Sequence, residues 1–150
     1  MIGHNIQLAL LLAMVVHKSW ERNIDPAIVA AIIRVESNWT PNAIGDDRHS
    51  FGLMQLHIQG AGSGHNPSSL LDPETNLDVG LTYLQRCLEA TNNDLPATFS
   101  AYNQGIQGWH LRGTAFNQIA VDRYMHAYEE YRLLGVLQQI PKALYGTPIA

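Results

Sequence analysis

Signals for the start of an α-helix recur along this chain and constrain its fold more than any other feature. Asp25 and Asp72 are each followed by a proline, at Pro26 and Pro73. Aspartate is a favoured N-cap residue and proline is favoured at the first helical position, so each pair predicts a helix that begins there. Pro96 opens a further segment in the same way. Strand signals are few, and the chain is therefore predicted to be mainly α.

These signals, together with hydrophobic spacing, divide the chain into predicted helices. Helices are expected over residues 5–22, from Pro26 to about Ser37, after Asp72, after Pro96 and over 115–134, where Gly135 ends the last one. The helix after Asp72 is supported by leucines at helical spacing: Leu77, Leu81, Leu84 and Leu88. Cys87 falls on the apolar side of that helix and is expected to be a buried thiol. The final segment PKALYGTPIA is expected to be irregular chain on the surface.

Composition indicates one globular domain and argues against nucleic acid as a partner. The chain has 150 residues, of which 46% are hydrophobic and 15% charged, so residues 1–150 are expected to form a single domain. The net charge is −4, which provides neither the basic surface that nucleic acids require nor a polybasic arm for membranes. We therefore expect no nucleic-acid partner.

The apolar segment IQLALLLAMVV, residues 6–16, invites comparison with a targeting sequence. No Lys or Arg precedes it, and HKSWER follows it in place of a small-residue cleavage site, so a signal peptide is not indicated. The segment is also too short to cross a bilayer. We interpret it as a buried first helix and expect no stable insertion into a membrane.

A glutamate continues the apolar face of the second predicted helix. Val29, Ile32, Ile33 and Glu36 lie on one stripe, because steps of three and four residues share a helix face. Burial and the negative end of the helix dipole both disfavour the ionised carboxylate, so the pKa of Glu36 is predicted to be raised. A carboxyl group that stays protonated near neutral pH suits a general acid. The alternative is a surface glutamate whose alignment with the stripe is chance.

Three short motifs then follow one another in a familiar order. They are ES at residues 36–37, SFGLMQ at 50–55 and AYNQG at 101–105, with Tyr124 as a late tyrosine. Together they resemble the motifs of the lytic transglycosylase domain, a lysozyme-like family that acts on bacterial peptidoglycan. The stretches GDDRHSFGLMQ and FSAYNQG are also similar to goose-type lysozymes, which share that fold. The resemblance implies a lysozyme-like fold: a helical bundle with a substrate cleft and at most a small irregular β region.

The resemblance also implies that the SFGLMQ turn forms one wall of the cleft. Ser50 and Gln55 would offer hydrogen bonds to the substrate, and Met54 would give an apolar floor to a sugar ring. Gly52 would let the backbone approach the sugar closely, since glycine has no side chain.

On the other side of the cleft, the resemblance places residues of the AYNQG motif. Tyr102 and Asn103 would donate to acetamido and carbonyl groups of the substrate, and Tyr124 would hold the carboxyl group of Glu36. A purely structural role in the core is the alternative for Met54 and Tyr102, because such side chains at helix-like spacing usually pack.

The family's reaction is cleavage of the β-1,4 bond between N-acetylmuramic acid and N-acetylglucosamine. By resemblance, Glu36 protonates the leaving oxygen and then acts as a base while the muramic C6 hydroxyl attacks C1, which gives a 1,6-anhydro product. The second reading is goose-type hydrolysis with Asp46 as a second carboxylate, although another acidic position of those enzymes falls on His57 here. A glycan-binding module without turnover is a third reading.

No cofactor or metal is expected. His49, His57 and His65 are eight residues apart, a spacing that matches no compact metal-ligand motif. The expected partners are glycan strands of peptidoglycan, bound by a monomer. Arg34 and Arg48 are candidates to meet negatively charged peptide stems, with solvated surface positions as the alternative.

The expected place of action is the cell wall, in the periplasm or outside the cell. Because the sequence shows no clear signal peptide, we expect a phage lysis or virion protein, with a secretion-system accessory as the alternative.

Overall fold

A helical body with a small sheet inserted after its second helix makes up the described chain. The structure is a computed structural model and describes residues 2–135. The helices of this region are α1 (Ile2–Glu21), α2 (Pro26–Ser37), α3 (Pro73–Ala90), α4 (Leu95–Gln104), α5 (Ile106–Arg112) and α6 (Gln118–Leu134). The strands are β1 (Ile44–Gly45), β2 (Ser50–Phe51) and β3 (Leu56–His57), and short 3-10 turns occur at Ser69–Leu71 and Thr114–Asn117. The prediction of a mainly α chain is confirmed.

Aspartate side chains begin three of these helices. Asp25, Asp72 and Asp94 each accept a hydrogen bond from a backbone N–H in the first turn of the helix that follows, at 2.9 Å in every case. Pro96 lies in the first turn of α4. These caps satisfy N–H groups that a helix otherwise leaves unpaired, so the predicted starts after Asp25 and Asp72 are confirmed.

Helix α2 lies at the centre of the core. Its residues 29–33 are fully buried, and it packs against α1 and α6. The helix ends at Ser37 because Asn38 adopts the left-handed backbone conformation, with φ 47°. Glu36, one residue before that end, is therefore positioned by a helix with a fully buried middle.

The prediction that the first helix is buried is correct only for its second half. From Leu11 onward α1 contributes to the core, for example through Val15. Residues 3–10 are exposed, including Ile6 at 55% and Leu10 at 64%. The reason is that α1 packs against α2 and α3 only along its second half, so within residues 2–135 its first turns have no covering element. In the same region, no helix combines the length and apolar character that crossing a membrane requires.

The three strands form a small antiparallel sheet in the order β1-β2-β3. Ile44 pairs with Phe51, and Ser50 pairs with His57. Each strand has two residues, so the expectation of at most a small irregular β region is confirmed. The SFGLMQ turn begins with β2 and ends at the residue before β3.

The structure differs from prediction near the end of the described chain. The helix predicted over 115–134 begins as the 3-10 turn Thr114–Asn117 and becomes α6 only at Gln118. The short helix α5 was not predicted; it lies between Gly105 and Gly113, whose φ angles of 85° and 76° redirect the chain. The segment PKALYGTPIA lies outside the described residues.

Candidate active site

Glu36 opens onto a cleft between the small sheet and α4. This cleft has a volume of about 400 Å³, and Glu36 is half-buried in it. Its lining comes from five parts of the chain: Glu36, then Asp46 with Ser50, then Gln55, His57 and Gln59–Ala61, then Tyr83, then Tyr102–Gly105. We refer to it as the Glu36 cleft. Most of the predicted site residues meet there, namely Glu36, Asp46, Ser50, Gln55, Tyr102 and Asn103.

A hydrogen bond from Tyr124 fixes the carboxyl group of Glu36. The Tyr124 hydroxyl donates to Glu36 Oε1, and its ring is buried against Phe99 of α4, with centroids 5.1 Å apart. Burial and the neighbouring Glu36 raise the pKa of Tyr124, so this hydroxyl keeps its proton and remains a donor. The predicted contact between these two residues is therefore present. Because Oε1 is occupied, an acidic proton on Glu36 is directed to Oε2.

Burial raises the pKa of Glu36 above its ordinary value of 4.5. The hydrogen bond from Tyr124 and the positive charge of Arg123 lower this pKa, whereas the negative charge of Asp46 raises it. The net direction is upward because burial is the largest influence. This is the direction predicted from the apolar stripe. A carboxyl group in such surroundings can donate a proton near neutral pH.

One buried asparagine holds the SFGLMQ turn against α3. Asn76 Nδ2 donates to the carbonyl oxygens of Phe51 and Leu70 at 2.8 and 2.7 Å. Asn76 Oδ1 accepts from the backbone N of Met54 at 2.9 Å. Gly52 has φ 79°, and a Cβ there would stand 2.2 Å from Asn76 Nδ2 and 2.3 Å from Leu70 O. Gly52 is therefore required because a side chain there would collide with Asn76. The predicted reason, close approach of the backbone to a sugar, is not the one that the structure shows.

The side chain of Met54 does not lie in the cleft, contrary to prediction. It is 0% exposed and rests on α3 at Gly80, where a Cβ would stand 2.3 Å from Met54 Sδ. The turn directs this side chain inward because Asn76 holds the backbone N of Met54. The core role, which was the alternative for Met54, is the one that the structure shows.

On the sheet side of the cleft, two polar side chains use their donors within the protein. Ser50 Oγ donates to Asp46 Oδ2 at 2.5 Å. Gln55 Nε2 donates to the carbonyl oxygens of Ala43 at 3.1 Å and Gly52 at 2.9 Å. The atoms that Ser50, Gln55 and Asp46 still offer to a ligand are therefore oxygen atoms, which accept hydrogen bonds.

On the α4 side, Tyr102 and Asn103 are fixed in different ways. The Tyr102 hydroxyl donates to Met54 O at 2.7 Å, so its proton is not available to a substrate, contrary to prediction. Asn103 is exposed at the cleft, and its Oδ1 accepts from Asn117 Nδ2 at 2.9 Å. A hydrogen bond from Asn103 also lowers the pKa of Tyr124. Asn103 therefore belongs to the same network as Glu36 and presents its amide nitrogen as a donor.

Two histidines stack at the edge of the sheet. The rings of His49 and His57 have centroids 5.7 Å apart and an interplanar angle of 12°. His57 Nδ1 accepts from the backbone N of Gln59 at 3.1 Å, so the neutral ring carries its proton on Nε2. Over residues 2–135, no three His, Cys, Asp or Glu side chains come together where they could hold a metal ion.

Sequence reasoning missed Asn76 and Asn117, the two asparagines that hold the cleft residues. Asn76 lies on the buried face of α3, four residues before Gly80. A polar residue on an apolar helical face is the signal that identified Glu36, and the same signal would have found Asn76. Asn117 gives no such signal because it lies in a 3-10 turn.

The sequence matches a known protein family over the region that forms the Glu36 cleft. The family model of the transglycosylase SLT domain matches residues 13–112, which include every residue that lines the Glu36 cleft. The chain therefore belongs to the family of transglycosylase SLT domains.

Individual relatives are longer than this chain. The soluble lytic murein transglycosylase of Escherichia coli K12 is 33% identical over 96 residues, which cover 56% of this chain and 14% of that protein. The membrane-bound lytic murein transglycosylase C of Haemophilus influenzae PittEE is 34% identical over 99 residues, which cover 55% of this chain and 28% of that protein.

A solved structure supports the fold. The crystal structure of the 70 kDa soluble lytic transglycosylase of Escherichia coli matches 80% of this chain and 24% of its own, with a TM-score of 0.64 and 24% identity. The predicted lysozyme-like fold is thereby confirmed.

Proposed function

We propose that this chain cleaves the β-1,4 bond between N-acetylmuramic acid and N-acetylglucosamine in peptidoglycan, as a lytic transglycosylase. The observation that carries the proposal is the Glu36 carboxyl group, half-buried in a cleft, held through Oε1 by Tyr124 and raised in pKa by burial. The SLT family match and relatives named for murein support the choice of substrate. The proposed place of action is accordingly the cell wall.

In this reaction Glu36 first acts as an acid. The proton on Oε2 passes to the glycosidic oxygen as the bond from that oxygen to C1 breaks. Glu36 becomes a carboxylate, which the Tyr124 hydroxyl and the positive charge of Arg123 stabilise. The carboxylate then takes the proton of the muramic C6 hydroxyl, whose oxygen bonds to C1. Glu36 regains its proton, no water is consumed, and the product is a 1,6-anhydromuramic end.

Hydrolysis of the same bond is the second candidate, and the position of Asp46 favours it. Asp46 lines the Glu36 cleft, and its charge acts on Glu36. Ser50 occupies Asp46 Oδ2 at 2.5 Å, which leaves Oδ1 to accept a proton from a water molecule. In that case water attacks C1 in place of the C6 hydroxyl.

Purified cell walls and Glu36→Gln test the catalytic assignment. Glutamine keeps the Oε1 acceptor for Tyr124 but has no acidic proton, so loss of turbidity should slow at least about a hundredfold. The matched control is Glu89→Gln, which changes an exposed carboxylate on α3 outside the cleft and should leave the rate native. Equal rates for native protein and Glu36→Gln would overturn the proposal and leave a glycan-binding module.

Mass spectrometry of the released muropeptides separates the two enzyme reactions. Products lighter by one water than hydrolysis products are expected, because the C6 hydroxyl is the proposed nucleophile. Reducing ends, lost together with activity in Asp46→Asn, would establish hydrolysis instead.

A further inference from the structure

A second groove continues from the Glu36 cleft. It has a volume of about 1030 Å³ and lies against α3 and α5. The two spaces share part of their lining, including Ala61, Tyr83 and Gln104. We call the second space the arginine groove, because Arg22, Arg86 and Arg112 line it. A long ligand seated at Glu36 can therefore extend into the arginine groove without leaving the surface.

The groove is positively charged on a chain that is negative overall. The chain has nine Lys and Arg residues and thirteen Asp and Glu residues, with a net charge of −4. The lining of the groove contains three arginines and one acidic residue, Asp78, so its formal charge is 3 − 1 = +2 with His65 neutral. Such a local reversal of sign attracts an anionic ligand.

Two of the three arginines are available to a ligand. Arg22 lies 3.8 Å from Asp78, which also pairs with Lys18 at 2.7 Å. Arg86 and Arg112 are exposed, and no ion pair within residues 2–135 joins either of them to a carboxylate. Their guanidinium groups thus have no competing anion in the described chain.

The guanidinium of Arg112 is also held in a defined position. Its Nε donates to Gln104 Oε1 at 3.0 Å, and its Cζ lies 4.3 Å from the centroid of the Phe116 ring. A Cβ at Gly108 would stand 2.4 Å from Arg112 Nη2, so the absence of a side chain there makes room for the group. A positioned guanidinium fork with free Nη donors suits a carboxylate.

We propose that the arginine groove binds the free carboxylates of the peptide stems attached to the glycan strand whose sugars occupy the Glu36 cleft. This inference rests on the proposed function. The sugar rings of that strand do not need a cluster of arginines, whereas the stems are anionic and covalently joined to the muramic residues. This proposal gives Arg86 and Arg112 the role for which Arg34 and Arg48 were candidates. Arg34 instead pairs with Glu130.

Binding to two forms of one polymer tests this proposal. The protein carries Glu36→Gln so that the polymer stays intact, and the probes are purified cell walls and the same glycan chains after an amidase has removed their stems. Arg86→Gln with Arg112→Gln should weaken binding to intact walls roughly tenfold and reduce its salt dependence. Binding to stem-free chains should not change. The charge-matched control, Arg34→Gln with Arg132→Gln, should bind both polymers as before.

A second variant changes the position of the Arg112 guanidinium group and keeps its positive charge. Gly108→Ala displaces the Arg112 guanidinium, while alanine favours the helix, so the fold is preserved. It should weaken binding to intact walls roughly threefold and leave binding to stem-free chains unchanged.

Equal weakening on both polymers, or none on intact walls, would overturn the role of the groove. If the Glu36→Gln protein binds neither polymer before any arginine is changed, the proposed substrate is wrong and this inference fails with it. That failure is seen with the Glu36→Gln protein alone. A failure of the groove's role is seen only after the arginines are changed, so the two failures can be distinguished.

Discussion

Tyr124 and burial act on the Glu36 carboxyl group in opposite directions. Burial disfavours the carboxylate and raises the pKa of Glu36, whereas the hydroxyl of Tyr124 favours the carboxylate by donating to it. For the proposed reaction, burial therefore favours the protonated acid, and Tyr124 stabilises the carboxylate that remains after the proton is given up.

Replacing Tyr124 with phenylalanine should raise the pKa of Glu36 further. The variant loses the larger of the two influences that lower this pKa, the Tyr124 hydrogen bond, and keeps the burial that raises it. Because the proposed reaction begins with protonated Glu36, the alkaline limb of the pH–activity profile should move to higher pH, with the rate at the optimum reduced by about tenfold at most. The profile on purified cell walls measures this shift.

The matched control for that profile is Tyr128→Phe, on the same helix. Its hydroxyl lies 3.4 Å from Asp25 and does not contact Glu36. Its alkaline limb should coincide with that of the native protein. An unmoved limb in Tyr124→Phe would contradict the assigned role of Tyr124.

The same carboxyl group should make the protein less stable at neutral pH. A carboxyl whose folded pKa lies above its ordinary value of 4.5 binds its proton more tightly in the folded state. Stability is therefore lost as the pH rises from 4.5 through the folded pKa. Glu36→Gln removes this effect and should raise the free energy of unfolding by about 1 kcal/mol at neutral pH.

Urea unfolding of both proteins at about pH 4 and about pH 7.5 measures this difference, which should be largest at the higher pH. Glu89→Gln, an exposed site, should show no such pH-dependent gain. A difference of the same size at both pH values would show that ionisation of Glu36 is not its cause.

At the scale of the structural elements, the SFGLMQ turn depends on a close fit to α3. Gly52→Ala would place a Cβ against Asn76 and Leu70 O in a residue with φ 79°. We expect a loss of roughly 3–5 kcal/mol in the free energy of unfolding, from backbone strain and overpacking together. Denaturant unfolding measures it.

Gly64→Ala separates the two causes. Gly64 has a similar φ of 83°, but a Cβ there would meet nothing within 4 Å. This variant should lose only about 1 kcal/mol, from backbone strain alone. Equal losses at Gly52 and Gly64 would mean that the contact with Asn76 contributes nothing.

The elements also show what a sequence can and cannot predict. The starts of α2 and α3 were predictable because each Asp-Pro pair acts within one turn of its own helix. Glu36 was predictable because burial of its stripe follows from helical spacing. The inward direction of Met54 was not, since it depends on Asn76, which is 22 residues away in the chain. The donor of Tyr102 was misjudged for the same reason, because its partner, the carbonyl oxygen of Met54, is 48 residues away in the chain.

Across the whole molecule, stability should be unevenly distributed. Residues 29–33 of α2 are fully buried, whereas residues 3–10 of α1 are exposed. Amide hydrogen exchange followed by mass spectrometry should therefore be at least about a hundredfold slower in a peptide from α2 than in one from the start of α1. Equal protection of the two peptides would show that the first turns of α1 are covered in solution.

The contact between Met54 and Gly80 has a consequence for protein engineering. In the sequence, the motif SFGLMQ looks like a self-contained loop. Its conformation, however, depends on contacts with Asn76 and Gly80 of α3. Transplanting the loop alone into another scaffold should not reproduce its conformation. A transferable unit must include both segments, and libraries that vary one of them must vary the other in concert.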